Sequence, residues 1–315
     1  MNAEPGIPIP SFHLSVLFLG VDAGASHCAA VIGRDDRTVL GRALGPAAAM
    51  HPGAAAAVAA VIADTARRAA AQAGVALPVA RAVVGAAGAG RPREQDELAA
   101  AVTRARVAAT VRVIPDGTVA LAAAFGEGPG IIVNAGTGSV AFARDSAGQV
   151  HRAGGHGWQL GDEGGGYWLG RRALDAAARA EDGRGEGSTL LARLLSALGL
   201  QRFDDLVRWT STATPAQVAA LAPHVLNAAR EGEAVAQRAV AEAAQELVGL
   251  MRALEPHFPG GAPIPAATIG GLLNPGSPLA AAFRDVLGAQ FPRAHLTASS
   301  IDPALGALSL AATED

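Results

Sequence analysis

Lysine is absent from the 315-residue chain, and cysteine is almost absent. All of the positive side-chain charge comes from arginine, and without lysine a phosphate-binding loop of the Walker A type is excluded. Cys28 is the only cysteine, and one thiol cannot build a disulfide framework, a thiolate zinc site or an iron–sulfur cluster within one chain. These two absences exclude several common classes of binding site.

Charge excess and long apolar runs are also lacking. The formal net charge of −3 gives no electrostatic footprint for nucleic acid. The longest apolar runs are shorter than the roughly 18 residues that a membrane-spanning helix needs. The opening segment 1–13 carries an acid and three prolines but no basic stretch, which is unlike a signal peptide. We therefore expect a cytoplasmic protein that has neither nucleic acid nor a membrane as a partner.

A single carboxylate interrupts the first apolar stretch. In VLFLGVDAGASHCAAVIG, residues 16–33, Asp22 is followed by a turn of small residues and then by a second apolar run. A polar turn at 34–37 leads into a third strand-like segment. A dinucleotide-binding loop would open a helix directly, so this pattern predicts a β-hairpin and not a Rossmann unit. Asp22 then ends the first strand, where it either serves a ligand or caps its own turn.

The second half of the chain repeats this pattern. Residues 21–24 (Val-Asp-Ala-Gly) align with residues 133–136 (Val-Asn-Ala-Gly), and each copy continues through three strands with an aspartate in the second turn. Since the order of the elements matches as well as the residues, we interpret the pattern as an internal duplication. At this length, with half of the residues hydrophobic, two domains or one large α/β unit are expected.

Both copies continue with alternating strands and helices. Segments 81–92 and 266–278 each begin as a strand that runs into a glycine-rich turn. Further on, a strand, an aspartate and an alanine-rich helix follow one another in both copies, which aligns Asp116 with Asp302. Each half is therefore predicted to be βββαβαβα. Leu and Val at spacings of three and four predict the longer helices at 53–73, at about 166–200 and at 214–255.

Two such halves would face each other across a cleft. Ligands in α/β folds favour the carboxyl ends of strands and domain interfaces, so the turns at 23–26 and 135–139 are expected to meet there. Turns of Gly, Ala, Ser and Thr present backbone N–H groups, and two opposed turns suit a polyphosphate. A carboxylate beside phosphate needs a cation, which makes Asp22 a candidate ligand for Mg²⁺.

Together these motifs resemble a known family. GVDAGASH at 20–27, NAGTGS at 134–139, GGHGWQLGDEGGGYWLG at 154–170 and IGGLLN at 269–274 are similar to segments of the N-acetylglucosamine kinase and BadF/BadG/BcrA/BcrD ATPase family. That family belongs to the sugar kinase, heat-shock protein 70 and actin superfamily. The resemblance implies an α/β fold of two ribonuclease H-like (actin-like ATPase) domains with a cleft between them. It assigns residues 1–126 and 300–315 to the N-terminal lobe and residues 127–299 to the C-terminal lobe.

The resemblance also implies roles at matching positions. Asp116 is the expected general base and a sugar contact, with a plain N-cap as the alternative, and Asp22 is expected to organise Mg²⁺. Asp162 and Trp158 are expected to bind the sugar together with Thr137 and Gly138, and a core position is the alternative for Trp158. The expected ATP-binding positions are Gly24, Ala25, Ser26, His27, Gly136, Thr137, Gly138, Ser139, Gly270 and Gly271.

The leading hypothesis is an ATP-dependent kinase that phosphorylates a hydroxyl of a small sugar, with N-acetylglucosamine or glucosamine favoured and ATP and Mg²⁺ as cofactors. Whether it forms a homodimer is left open. Segment 43–53 lacks the asparagine that sugar kinases of this group place on the sugar, which leaves the sugar undetermined. One alternative is a BadF-type ATPase, which needs two cysteines per subunit. The other is a catalytically weakened protein of the same fold that binds nucleotide or sugar.

Overall fold

The computed structural model describes residues 16–185, 188–297 and 301–313, so segment 1–13 and residues 300, 314 and 315 of the predicted lobes lie outside the described residues. Within this part of the chain, ten strands form two five-stranded sheets. The first half comprises β1 (Leu17–Ala23), β2 (Cys28–Arg34), β3 (Val39–Gly45), α1 (Ala55–Ala73), β4 (Val79–Ala86), α2 (Pro92–Arg104), β5 (Ala108–Pro115) and α3 (Asp116–Phe125).

The second half begins in the same way and is then enlarged by helices. Its strands are β6 (Gly130–Ala135), β7 (Ser139–Arg144), β8 (Val150–Gly154), β9 (Ile264–Ile269) and β10 (Ala294–Leu296). Its helices are α4 (Gly166–Glu181), α5 (Leu190–Leu198), α6 (Phe203–Thr210), α7 (Pro215–Ala219), α8 (Ala222–Arg230), α9 (Ala234–Ala253), α10 (Pro278–Gln290) and α11 (Pro303–Thr313), with 3₁₀ turns at Glu255–His257 and Gly271–Leu273.

The two sheets share one topology. The first has the order β3-β2-β1-β4-β5, and the second has the equivalent order β8-β7-β6-β9-β10. In each sheet the first three strands are antiparallel and the next pairs parallel to the first. Asp22 lies opposite Ala29 across the predicted hairpin, and Asn134 lies opposite Val140 in the matched hairpin. This arrangement confirms the predicted pair of related α/β domains.

Each sheet is buried by helices on its outer face. In the first half, Leu19, Val21 and Ile32 of the sheet pack with Ile62 of α1 and Leu98 of α2 in one fully buried core. In the second half a larger core joins β6, β7 and β9 to the helices between β8 and β10. Burial of this apolar area is the main driving force for folding of both halves.

Helices α3 and α11 lie between the sheets. Helix α11 packs so closely on β1 that a Cβ atom at Gly20 would overlap the backbone nitrogen of Leu308. Helix α3 packs on β6 and β7 of the other sheet, where Leu121 contacts Ile132. The second copy's last helix is therefore brought back onto the first sheet, which places the residues before it beside β1.

The predicted helical stretches are correct in place but more interrupted than expected. The helix at 53–73 is confirmed as α1, whereas 166–200 is divided into α4 and α5, and 214–255 into α7, α8 and α9. Glycines with positive φ follow the broken ends, including Gly183, Gly199 and Gly232. Helix α6 was not predicted. Strand β10 ends at Leu296, and residues 298–300 of the strand expected before Asp302 lie outside the described residues. No helix of the described chain has both the length and the apolar character needed to cross a membrane.

Candidate active site

A cavity of about 760 Å³ lies between the two sheets at the carboxyl ends of their central strands. Both hairpin turns contribute to its wall, as do the first residues of α3 and the residues that lead into α11. Every predicted site residue except Trp158 lines it, namely Asp22, Gly24, Ala25, Ser26, His27, Asp116, Gly136, Thr137, Gly138, Ser139, Asp162, Gly270 and Gly271. The fold therefore brings together predicted site residues from both halves of the chain.

The first hairpin turn is held by backbone hydrogen bonds. The N–H of Gly24 donates to the carbonyl of His27 at 2.9 Å, and the N–H of Ala48 donates to the carbonyl of Gly24 at 2.9 Å. Ala48 and Met50 are buried, so segment 43–53 supports the turn with backbone groups and apolar side chains. This is the stretch in which the sequence lacks a polar sugar contact.

The second hairpin turn rests on the start of α4. The N–H of Gly166 donates to the carbonyl of Gly136 at 2.8 Å, and the Ser139 hydroxyl donates to the carbonyl of Glu163 at 2.6 Å. Asp162 has a φ of +65° and accepts a long hydrogen bond of 3.4 Å from the N–H of Ser139. A Cβ atom at Gly138 would overlap the Asp162 carboxylate, so glycine is needed at that point of the turn.

Three carboxylates meet on the side of the first sheet. Burial, followed by repulsion from Asp116 and Asp302, raises the pKa of Asp22 to about 7. The pKa of Asp116 is also raised by burial, although the hydrogen bond from the N–H of Gly117 at 2.9 Å and the charge of Arg152 partly oppose that effect. Asp302 is partly neutralised by an ion pair with Arg42. Asp22 and Asp116 therefore lack a cation that balances their charge as Arg42 balances that of Asp302.

These carboxylates fit a magnesium ion that arrives with phosphates. Among the described residues, no group of three or more His, Cys, Asp or Glu side chains converges closely enough to enclose a metal ion. Mg²⁺ is usually held by only one or two carboxylates together with water and substrate phosphates, so a complete protein cage is not expected. A cation beside Asp22 would offset both the burial and the repulsion that raise its pKa.

The local hydrogen bonds of Asp22 and Asp116 bear on the alternatives of a turn cap and a helix cap. Within the described chain, the side chain of Asp22 makes no hydrogen bond to its own turn, and its pKa is set by burial and charge alone. Pro115 is the N-cap of α3, and Asp116 is the first helical residue, where its carboxylate accepts from the next N–H. Both carboxylates are thus free to face the cavity that they line.

Trp158 lies apart from the other predicted residues. It is 44% exposed, so the alternative of a core position is wrong. Its ring rests against Tyr167, with 5.1 Å between the ring centroids, and it does not line the cavity. The loop before Trp158 has positive φ at Gly154, Gly155 and Gly157, a backbone conformation that glycine adopts readily.

Several lining residues had no predicted role. Arg42 and Asn274 line the cavity, and so do Asn134, which aligns with Asp22, and Asp302, which aligns with Asp116. For the last two, the duplication gave a signal that could have identified them. Arg42 and Asp302 pair across 260 positions, for which a local sequence pattern gives no signal.

A second cavity of about 460 Å³ shares part of this wall. Ser26, Gly136, Thr137 and Gly271 line both cavities. The remainder of the second cavity is formed by α7, α8 and the segment before α10, with Leu226, Asn227, Arg230, Leu272 and Ser277 among its lining residues. The two cavities thus lie on either side of the turn residues.

Comparison with known proteins places this site in a family. The family model described as the BadF/BadG/BcrA/BcrD ATPase family matches residues 19–311. An N-acetylmuramic acid/N-acetylglucosamine kinase from Clostridium acetobutylicum is 32% identical over 234 residues, which cover 73% of this chain and 76% of that protein. An N-acetyl-D-glucosamine kinase from Dictyostelium discoideum is 27% identical over 193 residues, 58% of this chain and 59% of that protein.

Solved structures give the same context. A candidate N-acetylglucosamine kinase from Chromobacterium violaceum superposes with a TM-score of 0.80 at 33% identity, over 94% of this chain and 99% of that one. A ROK family glucokinase from Streptomyces griseus, solved with glucose and AMPPNP, has a TM-score of 0.60 at 18% identity, over 94% of this chain and 98% of that one. At that level of identity, the glucokinase shares the fold alone.

Proposed function

Because the chain belongs to the BadF/BadG/BcrA/BcrD ATPase family, we propose that it is an ATP-dependent kinase that phosphorylates a hydroxyl of an amino sugar, N-acetylglucosamine or glucosamine. The single observation that carries the proposal is the 760 Å³ cavity, in which two hairpin turns and a buried carboxylate cluster meet. The kinase relatives from Clostridium acetobutylicum and Dictyostelium discoideum support the choice of an amino sugar.

The nucleotide lies across the two turns. Its phosphates are bound between residues 24–27 and 136–139. The N–H of Gly24 and the hydroxyl of Ser139 hold the turns themselves, so the donors offered to phosphate are the hydroxyls of Ser26 and Thr137 and the backbone N–H groups at the tips of the turns. Its adenosine occupies the 460 Å³ cavity, along Gly271 and the start of α8. Gly270, with φ of +96°, brings the chain so close to β6 that a Cβ atom would overlap the Ala135 carbonyl. We assign Asp22 to the Mg²⁺ that accompanies the phosphates.

The sugar lies on the other side of the phosphates, between Asp116 and Asp162. Asp116 accepts the proton of the attacking hydroxyl, and burial raises its pKa toward the range in which a carboxylate is an effective base. Asp162 accepts hydrogen bonds from the other sugar hydroxyls. Phosphoryl transfer needs positioning and charge neutralisation more than covalent chemistry, and a closed site between two lobes provides both.

A BadF-type ATPase is the less suitable function. Activators of that type share an iron–sulfur cluster between two subunits, to which each subunit contributes two cysteines. This chain has one cysteine. Cys28 is fully buried at the start of β2, and burial raises the pKa of its thiol to about 11, which disfavours the thiolate that a cluster requires.

The test is sugar-dependent ADP release by the purified protein. We expect N-acetylglucosamine or glucosamine to stimulate ADP release strongly over the sugar-free rate, with the signal lost in excess EDTA and restored by Mg²⁺. ADP release that is independent of sugar would indicate an ATPase. Nucleotide and sugar binding without turnover would indicate a weakened binding protein. Either of the latter results contradicts the proposal.

A further inference from the structure

Arg42 is the only arginine among the described residues that line the 760 Å³ cavity. Four aspartates line the same cavity, namely Asp22, Asp116, Asp162 and Asp302. Phosphoryl transfer depends on positive charge at the phosphates, which kinases and related enzymes supply with a lysine or an arginine in addition to Mg²⁺. The chain has no lysine, so arginine is the permanent side-chain cation that it can offer for this task.

The backbone directs the Arg42 side chain toward the cavity. Arg42 lies on β3, the edge strand of the first sheet, directly opposite Val31 of β2. Side chains of opposed residues leave the same face of a sheet, and Val31 packs against Leu308 of α11. The N–H of Arg42 donates to the side-chain oxygen of Gln72 at 2.7 Å, so the strand is anchored at this point while the guanidinium can reorient.

The present partner of the guanidinium is easily exchanged. Arg42 pairs with Asp302, and their side chains are 44% and 23% exposed. An ion pair with this much solvent around it contributes little to stability. Asp302 also accepts a hydrogen bond of 3.2 Å from the N–H of Ala304 at the start of α11, where the helix dipole favours a negative charge. Asp302 therefore keeps a favourable environment when Arg42 leaves it.

This ion pair lies at the metal end of the carboxylate cluster. After burial and the charge of Asp116, the charge of Asp302 is the third cause of the raised pKa of Asp22. The other guanidinium near the cluster is that of Arg152, whose Nη1 atom lies 3.3 Å from the Cβ position at Gly90. Its charge opposes the effect of burial on the pKa of Asp116, which places it near the proposed base. The ion-paired guanidinium is therefore the one beside the aspartate assigned to Mg²⁺ and the phosphates.

We propose that Arg42 exchanges Asp302 for the phosphates of ATP and so acts as a phosphate-binding cation of this lysine-free kinase. The inference rests on the proposed function, since it requires a nucleotide in the cavity. A guanidinium fork donates two parallel hydrogen bonds to phosphate oxygens, and such charge-assisted bonds are stronger than neutral ones. The competing explanation is a structural ion pair in which Arg42 only neutralises Asp302.

The experiment measures the Kd of a non-hydrolysable ATP analogue with Mg²⁺, and that of adenosine, by calorimetric titration. Arg42→Gln is expected to raise the Kd of the analogue about 10-fold to 100-fold, the range for lost hydrogen bonds to a charged group, and to leave that of adenosine unchanged. Arg42→Lys keeps the charge but not the fork, so an intermediate Kd is expected. Arg208→Gln, which breaks an exposed ion pair with Asp205 on α6, is the matched control and should leave both values unchanged.

A second background separates the two explanations. In Asp302→Asn the guanidinium has lost its carboxylate partner, and adding Arg42→Gln should still raise the Kd of the ATP analogue about 10-fold or more, because the contact with phosphate is lost. A structural ion pair predicts no further effect in this background, because the charge that Arg42 would neutralise is already gone.

The outcomes also separate this inference from the proposed function. If the wild-type protein binds no ATP analogue, the proposed function fails and the phosphate contact fails with it. If ATP binding and sugar phosphorylation are present but Arg42→Gln leaves the Kd of the analogue unchanged, or loses its effect in Asp302→Asn, the kinase stands and the role of Arg42 is wrong. An equal loss of adenosine affinity would also contradict that role. Equal melting temperatures of the variants check that each is folded.

Discussion

The two sheets have the same strand order, but they differ in charge at matched positions. Asp22 is the penultimate residue of β1, and Asn134 is the penultimate residue of β6. Asp302, the second copy's counterpart of Asp116, is carried to the first sheet because α11 packs on β1. All three carboxylates of the cluster therefore lie on one side. The other side presents the amide, hydroxyl and backbone N–H groups of the turn at 136–139, together with the carboxylate of Asp162.

This difference shows how one duplicated fold can perform two tasks. Phosphate is repelled by carboxylates unless a cation lies between them, whereas a neutral turn with N–H donors binds it directly. The more acidic side suits the metal and the proton of the acceptor, and the less acidic side suits direct contacts with the phosphates. Four predictions test the division.

The largest effect is expected at the acidic side, from Asp116→Asn. Loss of a general base lowers kcat by about 10²-fold to 10⁴-fold, while the Kd of ATP changes by less than about threefold because the turns are untouched. Sugar-dependent ADP release and calorimetric titration with nucleotide measure the two quantities. The exposed Asp285 of α10 gives a matched control, Asp285→Asn, with wild-type kcat expected. Wild-type turnover by Asp116→Asn would remove that residue from the mechanism.

The next prediction concerns pH. The folded pKa of Asp22, about 7, lies above its ordinary value of 3.8, so the folded state holds this proton more tightly than the unfolded state does. The contribution is complete below pH 4 and is lost as the pH rises through 7. We expect it to lower the free energy of unfolding of ligand-free protein by roughly 2 to 4 kcal/mol across this window.

Denaturant titrations in EDTA at pH 5 and pH 8 measure this loss. Asp22→Asn removes the titrating carboxyl, so the difference between the two pH values should shrink in that variant. Asn134→Ala, at the matched neutral position, serves as the control and should keep the full pH difference. An unchanged difference in Asp22→Asn would show that the carboxylate cluster does not set the pH dependence.

The third prediction concerns a substitution that adds a carboxylate to the side of the second turn. Asn134→Asp places a carboxylate beside the turn at 136–139, where it repels phosphate, and the Kd of ATP should rise about 10-fold or more in the absence of Mg²⁺. Asp22→Asn should instead tighten metal-free nucleotide binding. If both variants shift the affinity in the same direction, the division of charge between the two sides is wrong.

The smallest effects concern the packing that creates the asymmetry. Gly20→Ala pushes a methyl group into the backbone of α11 and should cost about 1 to 3 kcal/mol of stability. Gly249→Ala, in the middle of α9 with no atom within 4 Å of its Cβ position, should stabilise the protein by about 0.5 to 1 kcal/mol. Equilibrium unfolding compares them, and a neutral Gly20→Ala would mean that α11 is not held tightly on β1.

The local and repeated features of the molecule could be predicted from the sequence. The turn after Asp22 is set by small residues between apolar runs, and the duplication made the second turn predictable from the first. Helix α3 begins at Asp116 because an alanine-rich run follows a strand. These features depend on neighbours in the chain, so a single sequence contains their cause.

Features that depend on distant contacts could not be predicted. The pair of Arg42 with Asp302 and the approach of Arg152 to Gly90 exist only because α11 returns to β1 and the sheets face each other. The exposure of Trp158 likewise depends on the path of a glycine-rich loop. The interruption at Gly183 was predictable in principle, because residues 181–187 read Glu-Asp-Gly-Arg-Gly-Glu-Gly and glycines of this density favour a helix end.

The most direct test is a crystal structure with a non-hydrolysable ATP analogue, Mg²⁺ and N-acetylglucosamine bound together. We expect the phosphates to contact both hairpin turns, with the metal next to Asp22 and a sugar hydroxyl within hydrogen-bond distance of the Asp116 carboxylate. Phosphates bound away from the turn at 136–139, a metal bound away from Asp22, or a sugar bound away from Asp116 would contradict the division of work between the two sides.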